Sequence, residues 1–411
     1  MKMLKVHTGS RSIKDYTGII PHAEFEKILS LSNKLKGLKV LHINATAFGG
    51  GVAEILHTLV PLMNDVGLSA DWKVIEGTQE FFELTKRMHN ALQGKEDDLT
   101  EKDIELFMNI TRKNSDVNFG EYDVVVIHDP QPVAIPAVAN KGSAKLAWRC
   151  HIDTSTPNKK FMAFINSFMK HYDAGIFTLK RYAGQLSIER LYEIPPSIDP
   201  LSDKNRELTQ EELKKSIEKL KIDPNRPVIT QVSRFDPWKD PKGVVDTYRN
   251  LKKNHPELQL LLIGSMATDD PEGWEIYEDL LRYVGMDYDI KVLTNLNSIG
   301  NIEVNAAQKL SQVVLQKSLR EGFALTVSEA LWKGTPVVGG NVGGIPLQII
   351  QGVNGYLVNS VEEATKYTDM LLKDPILREK MGNKGKEIVR NKFLITRHLK
   401  DYLELFRDLV R

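Results

Sequence analysis

The chain has 411 residues, too many for one ordinary hydrophobic core and suited to two or three domains. Lys plus Arg is 55 and Asp plus Glu is 54, so the formal net charge of +1 gives no basic footprint for nucleic acid or an anionic membrane surface. The one cysteine, Cys150, excludes an intrachain disulfide and any multi-cysteine metal site, and it fits a reduced compartment. Residues 1–15 have no apolar core of signal-peptide length, and no apolar run approaches the roughly 18 residues of a membrane span. The expectation is a cytoplasmic protein with no nucleic-acid or membrane partner.

In chain order, the first 37 residues are mixed and irregular, with a helix predicted around Pro21 to Leu35; this segment before Lys36 is a possible assembly element for a homodimer. Short apolar runs then read as buried parallel strands: Lys39–Ile43, Val124–Ile127, Lys145–Arg149, Val228–Gln231, Leu258–Ile263, Val313–Gln316 and Pro336–Val338. Helical stretches lie between them. Val52, Ile55, Leu56, Leu59, Val60 and Met63 follow the i, i+3, i+4, i+7 spacing of an amphipathic helix. The pattern appears twice, ending near Tyr192 and starting again near Pro227. Between the two lies Ile194-Pro195-Pro196-Ser197-Ile198-Asp199-Pro200, whose prolines cannot extend a sheet. A charged helical segment, Leu208–Leu220, follows, and Lys380–Arg411 reads as helices. Strands alternating with helices predict an α/β fold of two Rossmann-like, doubly wound parallel-sheet domains, expected to face each other across a cleft. The expected domains are 1–196, joined by a C-terminal helix at about 392–411, and 197–391.

In such folds ligands bind at the carboxyl ends of strands, where four stretches carry chemistry. Phe48-Gly49-Gly50-Gly51-Val52 joins a strand to a helix; its glycines admit close backbone approach and its helix start offers N–H groups to an anion. Glu54 stands where a dinucleotide fingerprint needs a small residue, which argues against an NAD site, although Glu76 could mimic the ribose-binding acid of that motif. Arg234 and Lys239, past Val228–Gln231, are two cations suited to a diphosphate, or else surface partners of Asp236 or Asp240. Glu321-Gly322-Phe323-Ala324-Leu325-Thr326-Val327-Ser328-Glu329 opens a helix whose free N–H groups near Phe323, Ala324 and Leu325 suit phosphate oxygens. Thr326 and Glu329 also have the spacing of a capping box, a purely structural reading. Arg149-Cys150-His151-Ile152-Asp153 closes a strand. Neighbours on a strand point to opposite faces, which argues against a nucleophilic dyad of Cys150 and His151, and His151, like His128-Asp129, is either a satisfied loop residue or a sugar ligand. The histidines lack metal-ligand spacing. The one D-x-D triplet, Asp287-Tyr288-Asp289, stands before the apparent strand Lys291–Thr294 and reads as a solvated loop.

Together these motifs resemble glycosyltransferase family four, a retaining family of GT-B fold. Arg234 and Lys239 match its diphosphate pair, Glu321 and Glu329 its two glutamates with seven residues between them, and Gly343, Gly344 and Gly355 its downstream pattern. Ala324 departs from it, standing where the family usually has glycine. More narrowly, residues 44–54, 128–132, 148–153 and 270–274 resemble the trehalose glycosyltransferring synthases of archaea and bacteria. The resemblance implies a hexosyltransferase that moves glucose from a nucleoside-diphosphate glucose (UDP- or ADP-glucose), its co-substrate, to free glucose, giving α,α-trehalose reversibly and without a metal. It implies Arg234, Lys239, Glu321 and His151 as catalytic residues. Gly50, Gly51, Phe323, Ala324, Leu325, Glu329 and the backbone near Val292 are expected on the donor. Glu54, His128, Asp129 and Asp153 are expected on the acceptor. Two alternatives stay open: the same chemistry with another small acceptor, such as glycerate or a sugar phosphate, and a non-catalytic nucleotide-sugar sensor.

Overall fold

The computed structural model describes residues 3–184, 186–266 and 271–411, the side chain of Pro271 excepted. The chain divides into two compact units, one running to Ser197 and including Ile395–Arg411, the other Ile198–Leu394.

The first unit holds seven strands: β1 Leu4–Lys5, β2 Lys39–Asn44, β3 Ser69–Val74, β4 Val124–His128, β5 Lys145–Cys150, β6 Ala174–Phe177 and β7 Leu191–Glu193. Their order is β1-β3-β2-β4-β5-β6-β7, parallel throughout except that β1 pairs antiparallel with β3. β4 is buried at every residue and β5 at all but Lys145, as expected of strands covered on both faces. Trp148 and Cys150 of β5 sit in one hydrophobic core with Phe81, Phe107, Phe161 and Phe177. The segment expected to be irregular is tied into this unit. β1 extends the sheet, and the helix His22–Asn33 packs beside the C-terminal helix Ile395–Val410, where Lys27 pairs with Glu404 at 2.8 Å and Thr396 donates to Glu24 at 2.9 Å. The C-terminal helix buries Leu399, Tyr402, Leu403, Leu405, Phe406 and Leu409 along one stripe.

The second unit holds β8 Val228–Val232, β9 Gln259–Gly264, β10 Ile290–Thr294, β11 Val313–Gln316, β12 Val337–Gly340 and β13 Gly355–Val358. All pair in parallel, in the order β10-β9-β8-β11-β12-β13. This is the doubly wound order of a nucleotide-binding sheet, and it reverses between β8 and β11; in the first unit the order reverses between β2 and β4. The proline segment follows β7: Glu193 ends the strand, and the units part between Ser197 and Ile198.

The helix after β11 begins differently from the capping box expected at Thr326. It runs Leu325–Trp332, and its N-cap is Ala324, in the left-handed region at φ 68°. Thr326 therefore lies inside the first turn, and its hydroxyl donates to Gln316 Oε1 at 3.0 Å instead of capping. Gln348 holds the loop from below through Nε2, which donates to the carbonyls of Phe323 and Ala324. The turn packs so closely on Gly343 that a Cβ there would lie 1.6 Å from the Glu321 carbonyl oxygen, which explains the glycine at that position.

Two outcomes follow from this packing. Leu403 is fully buried, so Leu403→Ala should cost about 2–5 kcal/mol in urea unfolding if the last helix is integral to the first unit. A left-handed alanine costs about 1–2 kcal/mol in backbone strain, and glycine gives back roughly half of that gain as unfolded-chain entropy. Ala324→Gly should therefore raise stability by about 0.5–1 kcal/mol, read as a higher denaturation midpoint.

Candidate active site

In the second unit, β8 and β11 are paired neighbours at the order reversal, and the residues following them meet beyond their carboxyl ends. Lys239 ends the short turn Pro237–Lys239, and its ammonium lies 2.5 Å from Glu321 Oε2. Both side chains are mostly covered, at 14% and 12% exposure, so the pair is neither freely solvated nor sealed. Ser318 Oγ donates to the same carboxylate oxygen at 3.3 Å, and the Leu319 N–H donates to the Trp238 carbonyl at 2.8 Å, tying the two loops together. Asp240, one suggested partner for the cations, is taken instead by Lys317. Arg234 is half exposed and 3.5 Å from Asp236 Oδ2, a loose contact that leaves its guanidinium free to turn to another anion.

Glu329 lies deeper, one turn into the helix that starts at Leu325, with 1% of its side chain exposed. Its Oε2 accepts from Gln308 Nε2 at 3.4 Å. Its Oε1 has no hydrogen bond, only the Lys204 ammonium at 3.4 Å, so a buried carboxylate oxygen retains acceptor capacity. Phe323 is buried, whereas Ala324 and Leu325 are half-buried. Val292 lies on β10, the edge strand, paired with Leu262. The D-x-D triplet is held by structural contacts: Asp289 pairs with Arg226 at 2.7 Å and with Lys252 at 2.6 Å. Among the described residues no three His, Cys, Asp or Glu side chains are grouped so as to hold a metal.

In the first unit, β2 and β4 open onto a cavity of about 130 Å³ lined by Asn44–Thr46, Gly50–Ala53, His128, Asp129 and Gln131. Its wall holds four of the expected residues, Gly50, Gly51, His128 and Asp129; Glu54 and Asp153 are not on it. Glu54 is in the first turn of the helix Gly51–Asp65, and Asp153 Oδ1 accepts from the Ser155 N–H and hydroxyl at 3.1 and 2.6 Å. Gln131, which was not among the expected site residues, also lines the cavity. Its buried Oε1 has no protein partner and lines the cavity, and its only sequence signal is its place just after His128-Asp129-Pro130.

Asp129 is held in the left-handed region at φ 64° by hydrogen bonds on both sides. Its N–H donates to the Arg149 carbonyl at 2.7 Å, and its Oδ1 accepts the His151 N–H at 2.8 Å. Burial raises its carboxyl to about 6, against which the His151 N–H and the Arg149 cation act. Three imidazoles form a chain beside it. His42 Nδ1 is 3.0 Å from His128 Nε2, and His128 Nδ1 is 3.2 Å from His151 Nε2. Burial lowers His42 to about 3 and also holds His128 and His151 well below the ordinary imidazole range, so all three are neutral. Next to them Arg149 is fully buried, with no hydrogen-bond partner for any guanidinium nitrogen. Cys150 points into the opposite core, and burial raises its thiol far out of the reactive range.

No helix among the described residues is long and apolar enough to cross a membrane. Two family models match the chain: "Trehalose synthase, N-terminal domain" over residues 42–184 and "Glycosyl transferases group 1" over residues 213–388. Trehalose synthase of Pyrococcus horikoshii is 50% identical over 98% of this chain and 97% of its own. That of Rubrobacter xylanophilus is 45% identical over 99% of both. In fold, a trehalose-6-phosphate synthase aligns with TM-score 0.72 at 13% identity over 90% of this chain and 99% of its own. The sucrose-phosphate synthase of Thermosynechococcus elongatus aligns with TM-score 0.68 at 16% identity over 90% and 99%. With half its residues shared along nearly its whole length, the chain belongs to the trehalose synthase family of two-domain, GT-B-like glucosyl-transferring enzymes.

Proposed function

We propose that the protein transfers glucose from a nucleoside-diphosphate glucose to free glucose with retention at the anomeric carbon, giving α,α-trehalose and the nucleoside diphosphate. The observation that carries this reading is the covered Lys239–Glu321 pair at the β8/β11 crevice, with the loosely held Arg234 beside it. Arg234, Lys239 and the N–H groups at the start of the helix from Leu325 receive the diphosphate. They stabilise the charge that gathers on it as the bond to the sugar breaks, the task a divalent ion performs elsewhere, so no metal is required. Glu321 accepts from hydroxyls of the donor glucose, and Glu329 Oε1 from the ribose. The reading also assigns Gly50, Gly51, His151 and the Val292 backbone to the donor. The new bond joins the anomeric carbon to the acceptor oxygen on the face the phosphate leaves, and the acceptor proton passes to the departing phosphate oxygen.

The acceptor reading rests on the cavity beside Asp129. Its wall carries no Lys or Arg, which favours a neutral sugar over glycerate or a sugar phosphate. Asp129, His128 and the unpartnered Gln131 Oε1 offer hydrogen bonds to hydroxyls. Glu54 and Asp153, off the cavity wall, are weaker members of the set.

Incubation with UDP- or ADP-glucose and free glucose in excess chelator should yield a disaccharide whose anomeric NMR signals are those of α,α-trehalose. A product with an inverted linkage, or no product until a divalent ion is added, overturns the reading. In the same assay Arg234→Ala should fold normally and lose about 10²–10³ in turnover.

The pH dependence is set by Asp129. Its carboxyl titrates at about 6; ionised, both its oxygens accept from hydroxyls, whereas protonation turns one of them into a donor and removes the negative charge. kcat/KM for glucose should therefore fall as pH drops through about 6, while the neighbouring histidines, already neutral there, add no limb. A profile flat down to pH ~5 excludes Asp129 from the acceptor site.

A further inference from the structure

The chain His42–His128–His151 has two ends of different character. At the inner end, His42 Nε2 is buried and has no hydrogen-bond partner. At the outer end, His151 is half-buried, and its Nδ1 makes no hydrogen bond to any described residue. A neutral imidazole carries one proton, so each ring donates through one nitrogen and accepts through the other. Two linked contacts at 3.0 and 3.2 Å then allow only two arrangements. Either all three rings are protonated at Nδ1, or all three are protonated at Nε2; any mixture sets two N–H groups or two lone pairs against each other.

The inner end decides between the two. Protonation at Nε2 throughout leaves a buried N–H of His42 with no acceptor. Protonation at Nδ1 throughout leaves only a bare ring nitrogen there. Orphaned buried donors are the rarer and costlier of the two. We propose that His42 and His128 are positioning residues that fix the tautomer of His151, so that its Nδ1 carries the proton and donates to an oxygen of the bound sugar donor. The tautomer coupling stands on the geometry alone, whereas its effect on turnover rests on the reading of His151 as a donor ligand. His151 thereby meets its ligand as a fixed neutral donor, with its polarity set two side chains away. Other ionisable groups facing this layer are Asp129, Arg149 and, from the C-terminal helix, His398, Tyr402 and Arg397. His398 is itself tied to Ser197 Oγ at 2.9 Å and stacked on Tyr402, outside the chain of three.

The test labels the histidines of the full-length protein with nitrogen-15 and reads which ring nitrogen bears the proton. In the unaltered protein His42, His128 and His151 should each show a protonated Nδ1 and a bare Nε2; a protonated Nε2 on His151 overturns the proposal. Two isosteric variants then act at the far end. His42→Asn keeps an N–H donor at the position of Nδ1. It should preserve the pattern and hold kcat/KM for the donor within about threefold. His42→Asp offers an acceptor at the same place. It should invert the pattern at His128 and His151 and lower kcat/KM for the donor about tenfold, the equivalent of one misdirected hydrogen bond. An uninverted pattern in a folded His42→Asp whose new carboxyl is shown to be ionised by its carbon-13 shift overturns the coupling. Titration of the unaltered protein with UDP-glucose separates the two layers. A shift of the His151 Nδ1 signal supports the donor contact. A motionless signal with the tautomer pattern intact overturns the donor assignment of His151 while leaving the coupling supported.

Discussion

The structure depends on one constraint of doubly wound parallel sheets: where the strand order reverses, the chains leaving two paired strands run to opposite faces of the sheet and leave a crevice beyond their carboxyl ends. That happens between β2 and β4 in one unit and between β8 and β11 in the other. Every loop leaving such a point is free of sheet pairing on one side, so its polar groups can face a ligand. The Lys239–Glu321 pair and the cavity under Asp129 are consequences of that parting, built from loops whose strands would otherwise have closed the space with backbone hydrogen bonds.

The two sites solve different electrostatic problems. In the second unit charge is plentiful and arranged in pairs, a covered Lys–Glu contact and a loose Arg–Asp contact. In the first unit charge is scarce. The imidazoles are neutral, the Asp129 carboxyl is raised by burial, and a fully buried guanidinium stands by without hydrogen-bond partners. Such a setting suits hydroxyl recognition, where direction matters more than charge.

Much of this was legible in the sequence because parallel strands covered on both faces are plain apolar runs. Val124–Ile127 and Val313–Gln316 were readable as strands within one residue of their observed ends. β1, two residues long, and β6, which includes a glycine, carry too little pattern to stand out. Arg234, Lys239 and Glu321 became candidates through their place just after strands together with the resemblance to a family pattern, since spacing alone reports only which loop follows which strand. Spacing could not report that Ala324 would turn left-handed and shift the helix start, which defeats the capping box at Thr326. Nor could it foresee the histidine chain: His42 sits inside an apolar run, and only the pairing of β2 with β4 puts it beside His128. The resemblance of 270–274 to the synthases includes Asp270, which lies outside the described residues.

The return of the last helix to the first unit has a consequence for synthesis. Ile198–Leu394 is contiguous and can collapse as soon as it leaves the ribosome. The first unit, although translated earlier, lacks Leu399, Tyr402, Leu403 and Phe406 until the helix Ile395–Val410 emerges. Until then the buried polar layer of His42, His128 and Arg149 has no cover from Tyr402. The half of the molecule made first is thus the half completed last, and a chain released at Leu394 would hold a complete second unit and a first one lacking Ile395–Arg411.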